Sequence, residues 1–194
     1  MKFDCHVHTS PKSSCSIMSP ERLLKAAAET GIEAVVLTEH DYLWSAGELN
    51  VLRAKCDGAL RIFAGAEVSC IEGHFLVFGL HDLKGISYNM QAEKLIAFAH
   101  ERGAAVVAAH PYRFNWKEGQ YCYELDIDGV EILSSNTTKE TGRLAEKLAN
   151  DRGLFQLTSS DAHTDAVIGK YYTIFPEDIA TVEELAEFIR CFKR

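Results

Sequence analysis

Residues 2–8, KFDCHVH, alternate between apolar and polar side chains. The odd-numbered residues are apolar and would share one face of a strand, while His6 and His8 would share the other. Imidazoles at i and i+2 on one face of a strand can both reach one metal ion. The stretch therefore predicts a β-strand that carries half of a metal site. The alternative is that both histidines are ordinary polar residues on a surface strand.

Helix and strand patterns alternate along the rest of the chain. Helices are predicted at 19–31, 44–56, 90–103, 139–153 and 181–192, and strands at 33–41, 61–69, 74–80, 104–111, 128–133, 154–163 and 170–175. In the first helix, Ser19 is the expected N-cap and Gly31 the expected end. Such alternation is typical of a mainly parallel sheet, open or closed into a barrel. With no repeat or linker, we expect one domain over residues 1–194.

Composition narrows the class of protein. The formal net charge of −8 argues against a basic surface that would bind nucleic acid. No apolar run reaches about 18 residues and no signal peptide pattern is present, so we expect a cytoplasmic protein that does not enter a membrane. The cysteines form no CxxC pair and are expected to be reduced thiols: Cys5, Cys15, Cys56, Cys70, Cys122 and Cys191.

Polar residues that can bind metals or transfer protons recur at the C-terminal ends of the predicted strands. They lie in TEHD (38–41), GAE (65–67), AHP (109–111) and SSDAH (159–163). The carboxyl ends of strands are where parallel α/β folds assemble their sites. The candidate residues are His6, His8, His40, Asp41, Glu67, His74, His110, Asp161 and His163. The two remaining histidines, His81 and His100, are expected to be ordinary polar residues.

Imidazoles and carboxylates together form a mixed nitrogen and oxygen donor set. Such a set suits zinc, manganese or iron and leaves positions open for water. Eight ligands are too many for one ion, so two or three divalent ions are expected. Glu67 could bridge two of them at roughly 3.5–4 Å, the spacing that clamps a transferring phosphoryl group.

Five motifs in order resemble those of the PHP (polymerase and histidinol phosphatase) domain family. They are DCHVHTS (4–10), LTEHD (37–41), GAEVS with GHFLVFGL (65–69 and 73–80), AHPYR (109–113) and SSDAH (159–163). The resemblance covers nearly the whole chain. It implies an α/β fold, a distorted seven-stranded (β/α)7 TIM-like barrel, with a di- or trinuclear metal site at the strand ends. The size resembles the stand-alone phosphoesterases of the family.

The resemblance also implies a distribution of the ligands. His6, His8, Glu67 and Asp161 look like ligands of a first ion, Glu67, His74 and His110 of a second, and His40 and His163 of a third. The third ion usually takes an Asp or His from the loop after the first motif, which here reads SPKSSCS (10–16). Cys15 could substitute as a thiolate, or the third site could be weak or empty. Glu39 stands where Asp is common, and we expect it to have a supporting role at most.

These features predict a metal-dependent phosphoesterase acting on a small phosphorylated metabolite through a metal-activated hydroxide. Arg113 could clamp the phosphate, and Asp41 or a histidine of the third site could protonate the leaving group. A nuclease or phosphodiesterase acting on nucleic acid, a carbonyl metallohydrolase and a non-catalytic metal-binding module remain alternatives. Specificity would come from loops at 42–50, 80–89 and 112–125. The substrate, the metal and the oligomeric state stay open.

Overall fold

The structure, a computed structural model, describes residues 1–56, 58–176 and 178–192. Its strands are β1 (Lys2–Val7), β2 (Ala34–His40), β3 (Arg61–Cys70), β4 (Gly73–Phe78), β5 (Ala105–Ala108), β6 (Gly129–Leu133), β7 (Phe155–Thr158) and β8 (Thr173–Ile174). Its α-helices are α1 (Pro20–Thr30), α2 (Ala46–Arg53), α3 (Ala92–His100), α4 (Trp116–Tyr121), α5 (Lys139–Arg152) and α6 (Val182–Arg190).

One curved sheet contains all eight strands in the order β7-β6-β5-β4-β3-β2-β1-β8. The pairs β1–β2, β2–β3, β5–β6 and β6–β7 are parallel. β4 is antiparallel to both of its neighbours, because a short turn folds it directly back on β3. β8 is a two-residue strand antiparallel to β1. It lies within the strand expected at 170–175 and adds an eighth strand to the seven of the barrel that the resemblance implies.

The two ends of the sheet approach each other closely enough to make a nearly closed barrel. His8 N–H donates to Ala162 O at 2.9 Å, and Ala162 N–H donates to His6 O at 3.3 Å. The hydroxyl of Thr173 links β8 to Thr158 at the end of β7. The expected distorted TIM-like barrel is therefore confirmed.

The helices cover the outside of the sheet and one end of its interior. α1 and α2 bury Leu23 and Leu49 against β2 and β3. α3 and α5 bury apolar residues in a second cluster around β4, β5 and β6. α6 packs Leu185 and Ile189 into a third cluster with Phe3 and Phe175. Apolar side chains thus fill the interior near the start of β1, and polar residues occupy the carboxyl ends of the strands.

The strict alternation expected for residues 2–8 holds only in part. Phe3 and Cys5 pack in one core cluster, whereas Val7 packs in another. The cause is a shift in the pairing of β1 with β2 between Asp4 and Val7. Such irregularities re-aim side chains and are common beside functional sites.

The expectation of a loop throughout 112–125 was wrong, because α4 occupies Trp116–Tyr121. Asn115 caps it by accepting a hydrogen bond from Glu118 N–H. Six residues are too few to show an apolar period, and Gly119 lowers the helix propensity further. Among the helices in the described part of the chain, none is long and apolar enough to cross a membrane.

Candidate metal centre

Glu67, near the end of β3, lies at the centre of the polar cluster with only 1% of its surface exposed. Its Oε1 is 2.8 Å from His74 Nδ1 and 3.2 Å from His110 Nε2. Its Oε2 faces three further imidazole nitrogens at 3.0–3.2 Å, those of His6, His8 and His40. The two oxygens of one carboxylate therefore serve two separate groups of imidazoles.

Asp161, which follows β7, lies against two of the same histidines. Its Oδ1 lies 3.4 Å from the Nε2 atoms of both His6 and His8. Its Oδ2 accepts hydrogen bonds from Arg113 Nη1 at 3.0 Å and Asn136 Nδ2 at 2.6 Å. Within the described ranges, Asp161 Oδ1 is one of two buried side-chain N or O atoms without a hydrogen-bond partner. A buried carboxylate oxygen without a donor is the environment that a cation would satisfy.

Three residues of the site that follow strands have a strained backbone conformation. Asp41, His110 and Asp161 have φ values of 49°, 29° and 49°, in the left-handed region that non-glycine residues seldom adopt. Each follows a strand, so the unusual turn redirects the chain at the mouth of the barrel. Such conformations persist only where surrounding contacts impose them, and they cluster at functional sites.

Asp41 is held by two contacts to the backbone of β3. Its N–H donates to Glu67 O at 2.9 Å, and its Oδ1 accepts from Ser69 N–H at 2.9 Å. The turn after β2 is therefore locked to the strand that carries Glu67. This places the half-buried Asp41 carboxylate in the turn one residue beyond His40, whose strand pairs with the strand that carries Glu67.

Glu131 on β6 is a site residue that the sequence analysis missed. It is fully buried and accepts hydrogen bonds from His6 Nδ1 at 2.9 Å, Ser159 Oγ at 2.7 Å and His110 N–H at 3.1 Å. It therefore fixes the His6 tautomer, so that Nε2 of that ring faces Glu67 and Asp161. The sequence signal was a glutamate in the otherwise apolar strand GVEIL.

Glu39, for which the sequence predicts a supporting role at most, holds the loop after β1 and the ring of Trp44. Fully buried, it accepts hydrogen bonds from Thr9 N–H, Trp44 Nε1 and the hydroxyls of Thr9 and Ser13. The same Ser13 hydroxyl lies 3.2 Å from His8 Nδ1. Glu39 thus orients His8 through Ser13 and anchors the loop after β1.

Opposing charges perturb the titration of the cluster. Burial disfavours charge on Glu67, yet attraction to His6 and hydrogen bonds from His110 and other imidazoles hold its pKa well below the usual value. Burial likewise opposes protonation of His6, but Asp161 and the glutamates around it raise its pKa well above normal. Burial lowers the pKa of His40 to about 4. The cluster therefore combines ionised carboxylates with a proton on His6, which a divalent cation would displace.

Among the residues that the structure describes, the donor atoms fall into four groups, each with all its atoms within 4.8 Å of one another. The groups are His6–His8–Glu67, His6–His110–Asp161, His40–Glu67–His74 and His8–Cys15–His40–His163. Ligand atoms around a tetrahedral zinc ion lie roughly 3.4 Å apart. Together with the unsatisfied Asp161 Oδ1, this donor set fits divalent cations. All eight predicted metal-ligating residues belong to these groups.

The other residues that the sequence analysis singled out lie at the edge of the cluster or outside it. The Arg113 side chain, 30% exposed, reaches Asp161 from the edge of the cluster. His81 is 82% exposed, and His100 pairs with Asp128 at 2.9 Å. From the sequence we expect these two histidines to be ordinary polar residues that bind no metal. Neither belongs to the four donor groups found among the described residues.

Comparisons with known proteins agree with this fold. Residues 140–193 match the PHP-associated family. The chain is 29% identical over 145 residues to the uncharacterized protein MJ1587 of Methanocaldococcus jannaschii, covering 70% of this chain and 82% of that protein.

Two solved structures are similar over almost the whole chain. One is a two-domain protein of Bacteroides vulgatus containing a predicted PHP-like metal-dependent phosphoesterase, with a TM-score of 0.72 and 19% identity. It is matched over 98% of this chain, which spans 63% of that protein's length. The other is the lesion-specific endonuclease PfuEndoQ of Pyrococcus furiosus, with a TM-score of 0.66 and 17% identity. It is matched over 97% of this chain, which spans 55% of its length.

Proposed function

We propose that this chain is a PHP-domain protein and a metal-dependent phosphoesterase acting on a small phosphorylated metabolite. The match of residues 140–193 to the PHP-associated family and the similarity of fold support the proposal. The observation that carries the proposal is the position of Glu67, whose two carboxylate oxygens face separate groups of imidazoles at 2.8–3.2 Å. A carboxylate in this position can bridge two ions of a hydrolytic centre.

The family resemblance, together with the contacts of the two Glu67 oxygens, suggests how the ions would be distributed. His6, His8, Asp161 and Glu67 Oε2 would hold the first ion, and His74, His110 and Glu67 Oε1 the second. His40 and His163 would hold a third. Bound zinc, manganese or iron would supply a hydroxide near neutral pH and neutralise the phosphoryl oxygens. The buried ligands are oriented before any cation binds, because Glu131 and Ser13 fix the rings of His6 and His8.

Arg113 is proposed to bind the phosphate of the substrate. Its guanidinium carries five N–H donors, and the hydrogen bond from Nη1 to Asp161 uses one of them. The partly exposed side chain lies at the rim of the cluster and packs over Phe114, with 5.0 Å between the guanidinium carbon and the ring centroid. A planar guanidinium can bind two phosphate oxygens at once, which a lysine cannot match.

Asp41 is proposed to protonate the leaving group. It lies beside His40 on a strained turn, and one of its carboxylate oxygens, Oδ1, accepts from the Ser69 N–H. In Asp41→Asn, kcat should fall for alkyl phosphates, whose leaving groups need a proton. It should change little for nitrophenyl phosphate, whose leaving group does not. An equal loss on both substrates would move the role to a histidine of the third site.

A nucleic-acid phosphodiesterase is the second candidate, favoured by the similarity to the Pyrococcus furiosus endonuclease. The net charge of −8 counts against it, because binding to a phosphate backbone depends on clustered basic residues. A small phosphoester needs only the local positive charge of the ions and Arg113.

The deciding experiment measures phosphate release by manganese-reconstituted protein from phosphomonoesters, phosphodiesters and nucleotides, with cleavage of oligonucleotides measured in parallel. His110→Ala should abolish turnover, whereas His100→Ala should leave it unchanged because His100 lies outside the cluster. Equal activity in both variants would contradict the site. Cleavage of oligonucleotides alone would favour the nuclease. Silence on every phosphoester, from protein that holds metal, would favour a carbonyl hydrolase or a non-catalytic module.

A further inference from the structure

Cys15 lies beside three imidazoles at the open side of the centre. Its sulfur and one nitrogen each of His8, His40 and His163 all lie within 4.8 Å of one another. The ring of His8 stacks against those of His40 and His163, with 4.5 Å between centroids in both pairs. His8 is buried, while His40 and His163 are partly exposed and Cys15 is exposed. The thiol therefore faces this group from the solvent side.

The loop that carries Cys15 is fastened on both sides of it to the histidine-bearing segments. Before it, the Ser13 hydroxyl donates to Glu39 and accepts from His40 N–H at 3.3 Å. After it, the Ser16 hydroxyl bonds to His8 O at 2.9 Å and His163 O at 3.1 Å. These contacts position the thiol through the backbone, independently of any ion.

We call the group His8–Cys15–His40–His163 the outer group. His8 is assigned to the first ion above, which leaves Cys15, His40 and His163 for the outer ion; His40 also lies within 4.8 Å of donor atoms of Glu67 and His74. The three residues left for the outer ion form a set of one sulfur and two nitrogens, with room for a water or substrate oxygen as fourth ligand. Zinc sites of this mixed kind use thiolate and imidazole donors at about 2.3 and 2.1 Å. Manganese prefers oxygen donors.

We propose that the Cys15 thiolate is the third protein ligand of the outer ion. It would take the place of the carboxylate or histidine that the loop at 10–16 does not contain. The outer position, formed by Cys15, His40 and His163, then selects a thiophilic cation such as Zn²⁺. The inner positions, built from imidazoles and carboxylates, accept Mn²⁺ as well. This inference rests on the metal centre of the proposed function, though not on the identity of its substrate.

The test uses Co²⁺ as a spectroscopic substitute for zinc, added stepwise to the chelator-treated full chain. Wild type, Cys15→Ser and the control Cys191→Ser are compared, since Cys191 is also exposed but lies on the C-terminal side of α6. Bound cobalt is counted, and absorption in the near ultraviolet reports sulfur-to-cobalt charge transfer. Thermal unfolding of the metal-free variants checks that each one is folded.

We expect the charge-transfer band in wild type and in Cys191→Ser, and its loss together with one tightly held ion in Cys15→Ser. An excess of Mn²⁺ should leave the band in wild type intact. Cobalt bound without a band in wild type, or a band that persists in Cys15→Ser, would overturn this inference while leaving the proposed function in place. A wild-type protein that binds no cobalt would overturn both.

Discussion

Replacing Glu131 with glutamine should weaken metal binding although Glu131 belongs to none of the donor groups. Its carboxylate accepts from His6 Nδ1, Ser159 Oγ and His110 N–H at 2.7–3.1 Å in a fully buried position. A glutamine has nearly the same shape but only one accepting oxygen. Its amide NH₂ would face either the His110 N–H or the ring of His6.

The magnitude follows from these contacts. Loss of the carboxylate that orients a metal-binding histidine typically lowers metal affinity about 10- to 100-fold. That corresponds to about 1.4–2.7 kcal/mol of binding free energy. The donor left without an acceptor, in a buried position, should also lower the free energy of unfolding of the metal-free protein by about 1–3 kcal/mol.

The assay has two parts. The Kd for Zn²⁺ is measured by competition with a chelator of known affinity, and the free energy of unfolding by urea titration of the metal-free protein. Glu146→Gln is the matched control, because Glu146 is an exposed glutamate on α5. It should change neither quantity by more than a few tenths of a kcal/mol.

A Glu131→Gln protein that unfolds more readily but binds zinc as wild type does would refute the reasoning. Glu131 would then be a buried structural carboxylate without influence on the centre. The same conclusion would follow if the Glu146→Gln control lost equal metal affinity.

Three further predictions concern the framework of the site. Burial raises the pKa of Asp4 to about 7 against 3.8 in an unfolded chain, so the folded state keeps this proton longer. The free energy of unfolding of the metal-free protein should therefore carry a component that falls by roughly 1.4 kcal/mol per pH unit between about pH 4 and 7. Urea titrations at pH 5 and 8 should show this component missing in Asp4→Asn; identical pH dependence in both proteins would contradict it. Glu39→Ala leaves four buried donors without their acceptor. It should cost about 3 kcal/mol or more in urea titrations, and a loss below 1 kcal/mol would count against the network. A Cβ at Gly119 would overlap the ring of Tyr112, so Gly119→Ala should destabilise the protein by about 1–3 kcal/mol. Gly47→Ala, with no atom near its new Cβ, should not lower the melting temperature, and equal shifts would argue against the clash.

Most of the elements could be predicted from local sequence. The predicted helices formed within a few residues of their expected bounds, because capping residues and apolar periods act over one or two turns. α4 was missed because six residues carry no period. The antiparallel direction of β4 was missed as well. A buried strand has the same apolar pattern whichever way it runs, and the short turn after β3 decides its direction.

The residues of the candidate site also divide into those that the sequence could identify and those that only the tertiary structure could. Side chains that recur at strand ends are visible as motifs, so the residues around Glu67 could be named before their positions were known. Glu131 could not, because one glutamate in a strand says nothing about the ring it faces. For Cys15 the family resemblance left two possibilities, a thiolate ligand or a weak or empty site. Its position beside His40 and His163 comes only from the packing of three separated segments. Local chemistry thus specifies which donors this chain offers. Long-range packing specifies which of them share an ion, because contacts between distant segments leave no periodic trace along the chain.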